Sequence, residues 1–155
     1  MRRFGYIFEG EARYPSICGG VAIPPHGEPL QVGGPSAAIP VVTFEQDHGP
    51  ISSVGYRFGD VAYSSDVVNL DESAFAALQG LDVWIVDALR YTPHPTHAHL
   101  ERTLSWIERL RPRRAILTNL HIDLDYETLK AELPAGVEPA YDGLRFEHEL
   151  RGEFA

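Results

Sequence analysis

Seven histidines stand in this chain of 155 residues, and where they fall matters more than their number. His48 comes just past an apolar run that reads as a strand ending near Glu45. Asp66 closes Tyr63-Ser64-Ser65-Asp66, past another strand, and His121 follows the run Ala115 to Thr118. His94, His97 and His99 lie between a strand ending near Asp87 and a helix that begins near Ala98. Four strands thus deliver polar groups just beyond their C-terminal ends, which is where α/β sheets build sites. Imidazole nitrogens with a carboxylate suit zinc, manganese or iron, and an imidazole also carries a proton near neutral pH. The same residues have an ordinary reading, since a histidine after a strand is commonly a loop residue and Asp66 suits a turn. Spacing alone leaves a metal site and a set of loop residues both open.

The elements that must position these groups can be read from the hydrophobic pattern. Ile39 to Phe44 reads as a strand, and Val54 to Phe58 with Val61 to Tyr63 as a hairpin turned by Gly59-Asp60. Asp71 is placed to cap a short helix containing Phe75 and Leu78, which Gly80 ends. Val83 to Val86 and Ala115 to Thr118 are continuous apolar runs, as expected of strands buried on both faces. Between them Leu100, Leu104, Ile107 and Leu110 recur at helical spacing from about Ala98 to Leu110. Tyr126 to Leu133 reads as a short helix stopped by Pro134 to Gly136, and Leu144 to Phe146 as a last strand. Strands followed by alternating strand and helix predict an α/β, or layered α+β, domain built on a sheet. Glycine and proline crowd the first forty residues, so 1–40 reads as irregular edge strands and loops around Phe4 to Phe8 and Val21 to Ile23, and 41–150 as the core.

Composition narrows the function classes. Apolar residues at 44% and charged residues at 23% fit a folded globular protein and exclude a disordered one. No apolar run approaches the roughly 20 residues of a membrane span, and the stretch from Met1 to Gly10 does not read as a signal peptide. Cys18 is the single cysteine, which excludes an internal disulfide or a cysteine-rich zinc site and fits a reducing, cytoplasmic location. With 22 acidic residues against 13 basic ones the net charge is −9, which disfavours nucleic acid as a partner. The basic cluster Arg109, Arg111, Arg113 and Arg114 reads as a solvated helix end.

The stretch from Val41 to Gly143 resembles the C-terminal half of the metallo-β-lactamase superfamily, and within it the PhnP-like cyclic-phosphate phosphodiesterases. The residues that carry the resemblance are Asp47-His48-Gly49, Val54-Gly55-Tyr56-Arg57, Ala62-Tyr63-Ser64-Ser65-Asp66, Trp84-Ile85-Val86-Asp87-Ala88, Ile116-Leu117-Thr118-Asn119-Leu120-His121 and Ala140-Tyr141-Asp142-Gly143. The resemblance implies the C-terminal portion of an αββα sandwich, with two divalent ions, zinc or manganese, in the complete family site. It makes His48 a metal ligand and Asp66 the carboxylate that bridges the ions. His97 becomes the histidine that meets the substrate phosphate or protonates the leaving oxygen, with His94 beside it. The branch carries Thr-His where this chain has Thr118-Asn119, so His121, two residues on, is expected to take the last ligand position in preference to Asn119 or to neither; Asp123 and Asp125 either orient it or belong to a solvated turn, and Asp87 is expected to support the site from behind.

The family's His-x-His-x-Asp-His motif is not present in this chain. Thr96-His97-Ala98-His99-Leu100-Glu101-Arg102 imitates its His-x-His step but has Glu101 and Arg102 where aspartate and histidine should stand, and it follows Asp66. His99 is therefore expected to be a surface residue of the first helical turn. In the family that motif precedes a segment like Arg2-Arg3-Phe4-Gly5-Tyr6, so the whole chain, 1–155, is expected to be a single partial domain. Such a domain would pair as a homo-oligomer or associate with the missing N-terminal half. The expected function is metal-dependent hydrolysis of a small, phosphoribosyl cyclic phosphate-like ester by activated water, weak or absent in this chain alone. The alternative is a non-catalytic half-domain that binds a phosphate or nucleotide, or serves as a scaffold, without a competent metal centre.

Overall fold

The computed structural model describes residues 5–151 apart from 12, 35 and 36. Phe4 and the arginines before it lie outside the described residues. A short helix, α1 (Gly5–Glu9), comes first, and seven strands follow: β1 (Pro29–Gly34), β2 (Ala37–Asp47), β3 (Ser52–Phe58), β4 (Val61–Ser64), β5 (Val83–Asp87), β6 (Arg114–Thr118) and β7 (Val137–Pro139). Helices α2 (Glu72–Ala77), α3 (Leu100–Leu110) and α4 (Tyr126–Glu132) alternate with the later strands. All seven strands form one mixed sheet in sequence order. Pairing is antiparallel from β1 through β4 and parallel from β4 through β7.

That topology carries a consequence for the site. Because β3 runs against both β2 and β4, strands β2, β4, β5 and β6 all point the same way. Their C-terminal ends therefore lie along one edge of the sheet. The residues just past those ends are His48, Asp66, the loop holding His97, and Asn119.

The sheet's two faces are unequal. Phe44, Ala62, Trp84, Val86, Ala115 and Leu117 share one face and pack with Phe75 and Leu78 of α2 and its end, Trp106 and Ile107 of α3, and Leu129 of α4. Trp84, Leu78, Ile116, Leu117 and Leu129 are fully buried, each worth about 1.5–3 kcal/mol in transfer free energy. The indole N–H of Trp84 donates to Ser64 Oγ at 3.0 Å, so this core keeps its polar atom satisfied. On the other face Val61, Val83 and Ile116 form a smaller cluster, against which Leu144 and Phe146 pack. Tyr63 stays exposed there.

Several expectations are sharpened or corrected. The hairpin at Gly59-Asp60, the strands around Val83 and Ala115, and α3 stand where the pattern put them. Asp71 caps α2, its side chain accepting from the Ala74 N–H. Residues 5–9 form a helix and not an extended piece. Leu144 to Phe146 shows burial that alternates along the chain, but among the described residues it joins no ladder; the seventh strand is Val137–Pro139. Among the described residues no helix is long and apolar enough to cross a membrane.

Candidate active site at the C-terminal edge of the sheet

The site begins with two residues in an uncommon backbone conformation. Asp66 (φ 56) and Asn119 (φ 60), at the ends of β4 and β6, are two of the three non-glycine residues with positive φ among the described residues. This region costs an ordinary side chain roughly 1–2 kcal/mol and is tolerated best by Asp and Asn. The turn at Asp66 is held by Ser53 Oγ, which donates to its carbonyl at 2.7 Å.

His48 is fixed from behind. Its Nδ1 lies 2.7 Å from the Thr96 carbonyl, and a carbonyl can only accept, so Nδ1 carries the hydrogen and Nε2 presents its lone pair. Gly49 (φ 75) permits the close approach, because a Cβ there would fall 2.9 Å from Thr96 Cγ2 and 3.0 Å from the Pro95 carbonyl oxygen. The loop that carries Thr96 and His97 is tied in turn to the sheet edge: the Ala98 N–H donates to Val67 O at 2.6 Å and the Leu89 N–H to Ala98 O at 2.9 Å.

His97 sits on a buried carboxylate. Its Nδ1 lies 2.7 Å from Asp87 Oδ2, and Asp87 is fully buried. The same carboxylate accepts the Val67 N–H at 3.3 Å and faces Asn119 Nδ2 at 3.4 Å. Burial pushes the Asp87 carboxyl above its ordinary value, and the hydrogen bonds from His97, Val67 and Asn119 pull it back only part of the way. Thr103 Oγ1 donates to the Asp87 carbonyl at 2.7 Å, which locks α3 to this end of β5.

The rings then gather. His48 and His97 meet edge to face with centroids 4.9 Å apart, and His94 lies tilted 5.3 Å from His97. His97 Nδ1 is 3.9 Å from Asp66 Oδ1. One ligand-capable atom from each of His48, Asp66 and His97 lies within 4.8 Å of the others. His94 takes the Thr96 N–H on its Nδ1 at 3.3 Å, and burial, with Arg90 next, lowers its basicity, which favours a neutral ring with Nε2–H facing outward.

His121 stands apart. The left-handed turn at Asn119 breaks the extended path that would have aimed it at the cluster, and its N–H is bound to Leu89 O at 2.8 Å. Its ring pairs with Asp123 on an exposed turn, so the expected partnership of these two exists, but outside the group of three. Asn119, two residues earlier, is the residue from this segment that touches His97, with Nδ2 at 3.2 Å from Nδ1. His99 occupies the position before α3 without a capping bond, and its side chain is half-buried, 14% exposed, beside the exposed Glu101. The supporting groups that residue types could not reveal are backbone ones: the Thr96 carbonyl and the Val67 N–H.

The donor set fits a divalent ion. Asp66 and His48 each bring a ligand atom to the sheet edge, and Nδ1 of that imidazole is already committed to a carbonyl, the usual backing of a metal-bound histidine.

Comparison with known proteins identifies the family and the fold. The model of the beta-lactamase superfamily domain matches residues 2–122. A crystal structure of a diphosphatase from the PhnP family superposes with a TM-score of 0.74 at 36% identity, covering 83% of this chain and 49% of that one. The metallo-beta-lactamase fold protein YhfI from Bacillus subtilis (TM-score 0.67, 19% identity, 84% of this chain and 56% of that one) and zinc-bound PqqB from Methylobacterium extorquens (0.56, 18%, 79% and 50%) share the fold. An octanoyltransferase of Porphyromonas gingivalis is 28% identical over 100 residues, 63% of this chain but only 20% of that protein. The chain thus spans about half the length of the PhnP-family structure and a fifth of the octanoyltransferase.

Proposed function

Because the chain belongs to the beta-lactamase superfamily domain family, a fold of metal-dependent hydrolases, we propose that it hydrolyses a small phosphate ester, of the cyclic or phosphoribosyl kind, with a divalent ion at His48 and Asp66. The observation that supports this most is the pairing of His97 with the buried Asp87 beside those two donors. A zinc or manganese ion there would polarise a phosphate oxygen and make water more acidic. The remaining chemistry belongs to the chain. Asp87 holds the Nδ1 proton of His97, which leaves Nε2 to deliver a proton to the departing oxygen and recover it afterwards. The neutral His94 offers Nε2–H to a phosphate oxygen. Asn119 props the other Asp87 oxygen and so steadies the pair.

The relative of known structure that is 36% identical is a diphosphatase, so a diphosphate linkage belongs among the substrates tested. Isothermal titration with Mn²⁺ and Zn²⁺, alongside hydrolysis of bis(p-nitrophenyl) phosphate, tests the proposal. Binding near one ion per chain, lost in Asp66→Ala and His48→Ala together with the activity, supports it. Activity that survives both substitutions refutes it. The alternative, a phosphate-binding module without catalysis, draws support from the openness of the site, since the Asp66 side chain is 59% exposed; ligand binding with no turnover at saturating metal would establish it.

The proposal extends to partners and place. Among the described residues the backbone of 145–150 pairs with no other backbone group, and Tyr63 is exposed on the same sheet face. We propose that this face is covered by a second copy or by the N-terminal half of such a domain. A stable monomer by light scattering argues against the first. A reducing, cytoplasmic location fits the free, exposed Cys18.

A further inference from the structure

Gln46, near the end of β2, is a buried amide, 1% exposed. It stands opposite Ser53 in the β2–β3 ladder and shares its face of the sheet with Phe44, two residues before it. Its Nε2 donates twice, to Ser53 Oγ and to the Ser65 carbonyl, both at 3.0 Å. The orientation is forced, because the amide turned over would set its oxygen against a carbonyl that only accepts. Among the described residues Oε1 is then the buried side-chain oxygen left without a hydrogen-bond partner, an unfavourable burial that calls for a reason.

The neighbouring strand is shaped to admit this amide. A Cβ on Gly55 of β3 would fall 2.2 and 2.3 Å from atoms of the Phe44 ring and 2.7 Å from Gln46 Oε1, so this position is glycine for space. A glycine inside a strand weakens it. Two unfavourable features thus accompany one side chain.

What the amide holds is the turn that carries Asp66. Ser53 accepts the Gln46 N–H and gives its own hydrogen to Asp66 O at 2.7 Å. The Ser65 and Asp66 carbonyls belong to the two peptide planes on either side of the Asp66 Cα. Holding both planes fixes its φ and ψ, in a left-handed conformation that a free chain avoids. No backbone N–H among the described residues takes either carbonyl; backbone pairing resumes past them, where the Val68 N–H donates to Asp47 O at 2.8 Å. The Asp66 side chain is itself 59% exposed, and His97 Nδ1 at 3.9 Å is beyond hydrogen-bond range. Its direction is therefore set from the backbone side.

We propose that Gln46 is a positioning residue for Asp66. Directly through Ser65 O, and by way of Ser53 through Asp66 O, it fixes the peptide planes that aim the carboxylate at the sheet edge. The role assigned to that carboxylate rests on the reading of His48 and Asp66 as ligands of a divalent ion.

Two variants test this: Gln46→Met, which keeps the side chain's length but cannot donate, and Ser53→Ala, which removes the relay at a half-buried position. Mn²⁺ affinity is read by titration calorimetry, and the Asp66 φ by scalar couplings in the metal-free chain. Each substitution moves the couplings away from the left-handed value. Each also weakens Mn²⁺ binding at least about tenfold, the scale of loss when groups that orient a metal ligand are removed. The double variant loses less than the product of the two, since both act through one chain of bonds. Exchange protection of the Trp84 and Val86 amides certifies the fold, and if Gln46→Met does not fold, Ser53→Ala decides alone. A merely structural role would lower the urea midpoint and leave the couplings and the affinity in place. Unchanged couplings, or an affinity kept within about twofold, overturn the proposal. An unaltered chain that binds no Mn²⁺ refutes the ion reading instead, and the couplings then decide whether Gln46 sets the Asp66 turn.

Discussion

Asp87→Asn separates what this carboxylate does for His97 from what it costs the fold. Asp87 is fully buried and its carboxyl is raised by that burial. A carboxyl whose folded value exceeds its unfolded value subtracts stability: the cost sets in as pH rises through the unfolded value and is complete above the folded one. The amide carries no such cost, and its oxygen can still accept from His97 and the Val67 N–H, so unfolding stability at pH 7 should be unchanged or rise by about 1 kcal/mol. The ring keeps an acceptor at Nδ1–H but loses the anion that stabilises its charged form during proton transfer. If His97 protonates the leaving group, the rate should fall about 10²-fold or more for an alkyl leaving group. For p-nitrophenolate, which leaves without help, the fall should be less than about tenfold. The assays are urea unfolding, the ¹⁵N shifts of the His97 ring, and the two hydrolysis rates at saturating Mn²⁺. Equal rate losses for both leaving groups, or a stability loss above about 2 kcal/mol, would refute the reasoning.

Three further outcomes follow from other residues. His121→Ala should leave Mn²⁺ affinity within about twofold, because its ring faces Asp123 on an exposed turn; a tenfold loss measured by titration calorimetry would return it to the ligand set. Gly49→Ala should destabilise by about 1–3 kcal/mol in urea, through its positive φ and the contact with Thr96, and should weaken metal binding by displacing the carbonyl that backs His48. The caps of α2 and α4 should show in pH titrations of Tm. The Ala74 and Thr128 N–H groups hold the Asp71 and Asp125 carboxyls below their usual range. Their contribution is present above the unfolded carboxyl value and is lost as pH falls through the folded one. Asp71→Ala and Asp125→Ala should therefore lower Tm at pH 7 and have little effect near pH 2.

What the sequence could and could not disclose follows from the range of the forces involved. The strands at Val83–Asp87 and Arg114–Thr118 announce themselves because a strand buried on both faces must be apolar throughout, and the Gly59-Asp60 turn because only certain residues accept its dihedrals. His48, Asp66 and His97 were legible for a topological reason: one reversal at β3 sends β2, β4, β5 and β6 the same way, so residues past their ends meet along one edge. β7 was not legible, since three residues ending in proline hold too little pattern, and Leu144–Phe146 shows a clear alternation that no neighbouring strand in the described chain takes up. That Asn119 and not His121 meets His97 turns on a single φ angle. Residue type favoured the imidazole, but a strand that turns left-handed at its last residue no longer carries residue i+2 to the side of residue i. Ligand assignments beyond a strand's end therefore depend on the backbone there more than on which side chain is the better ligand.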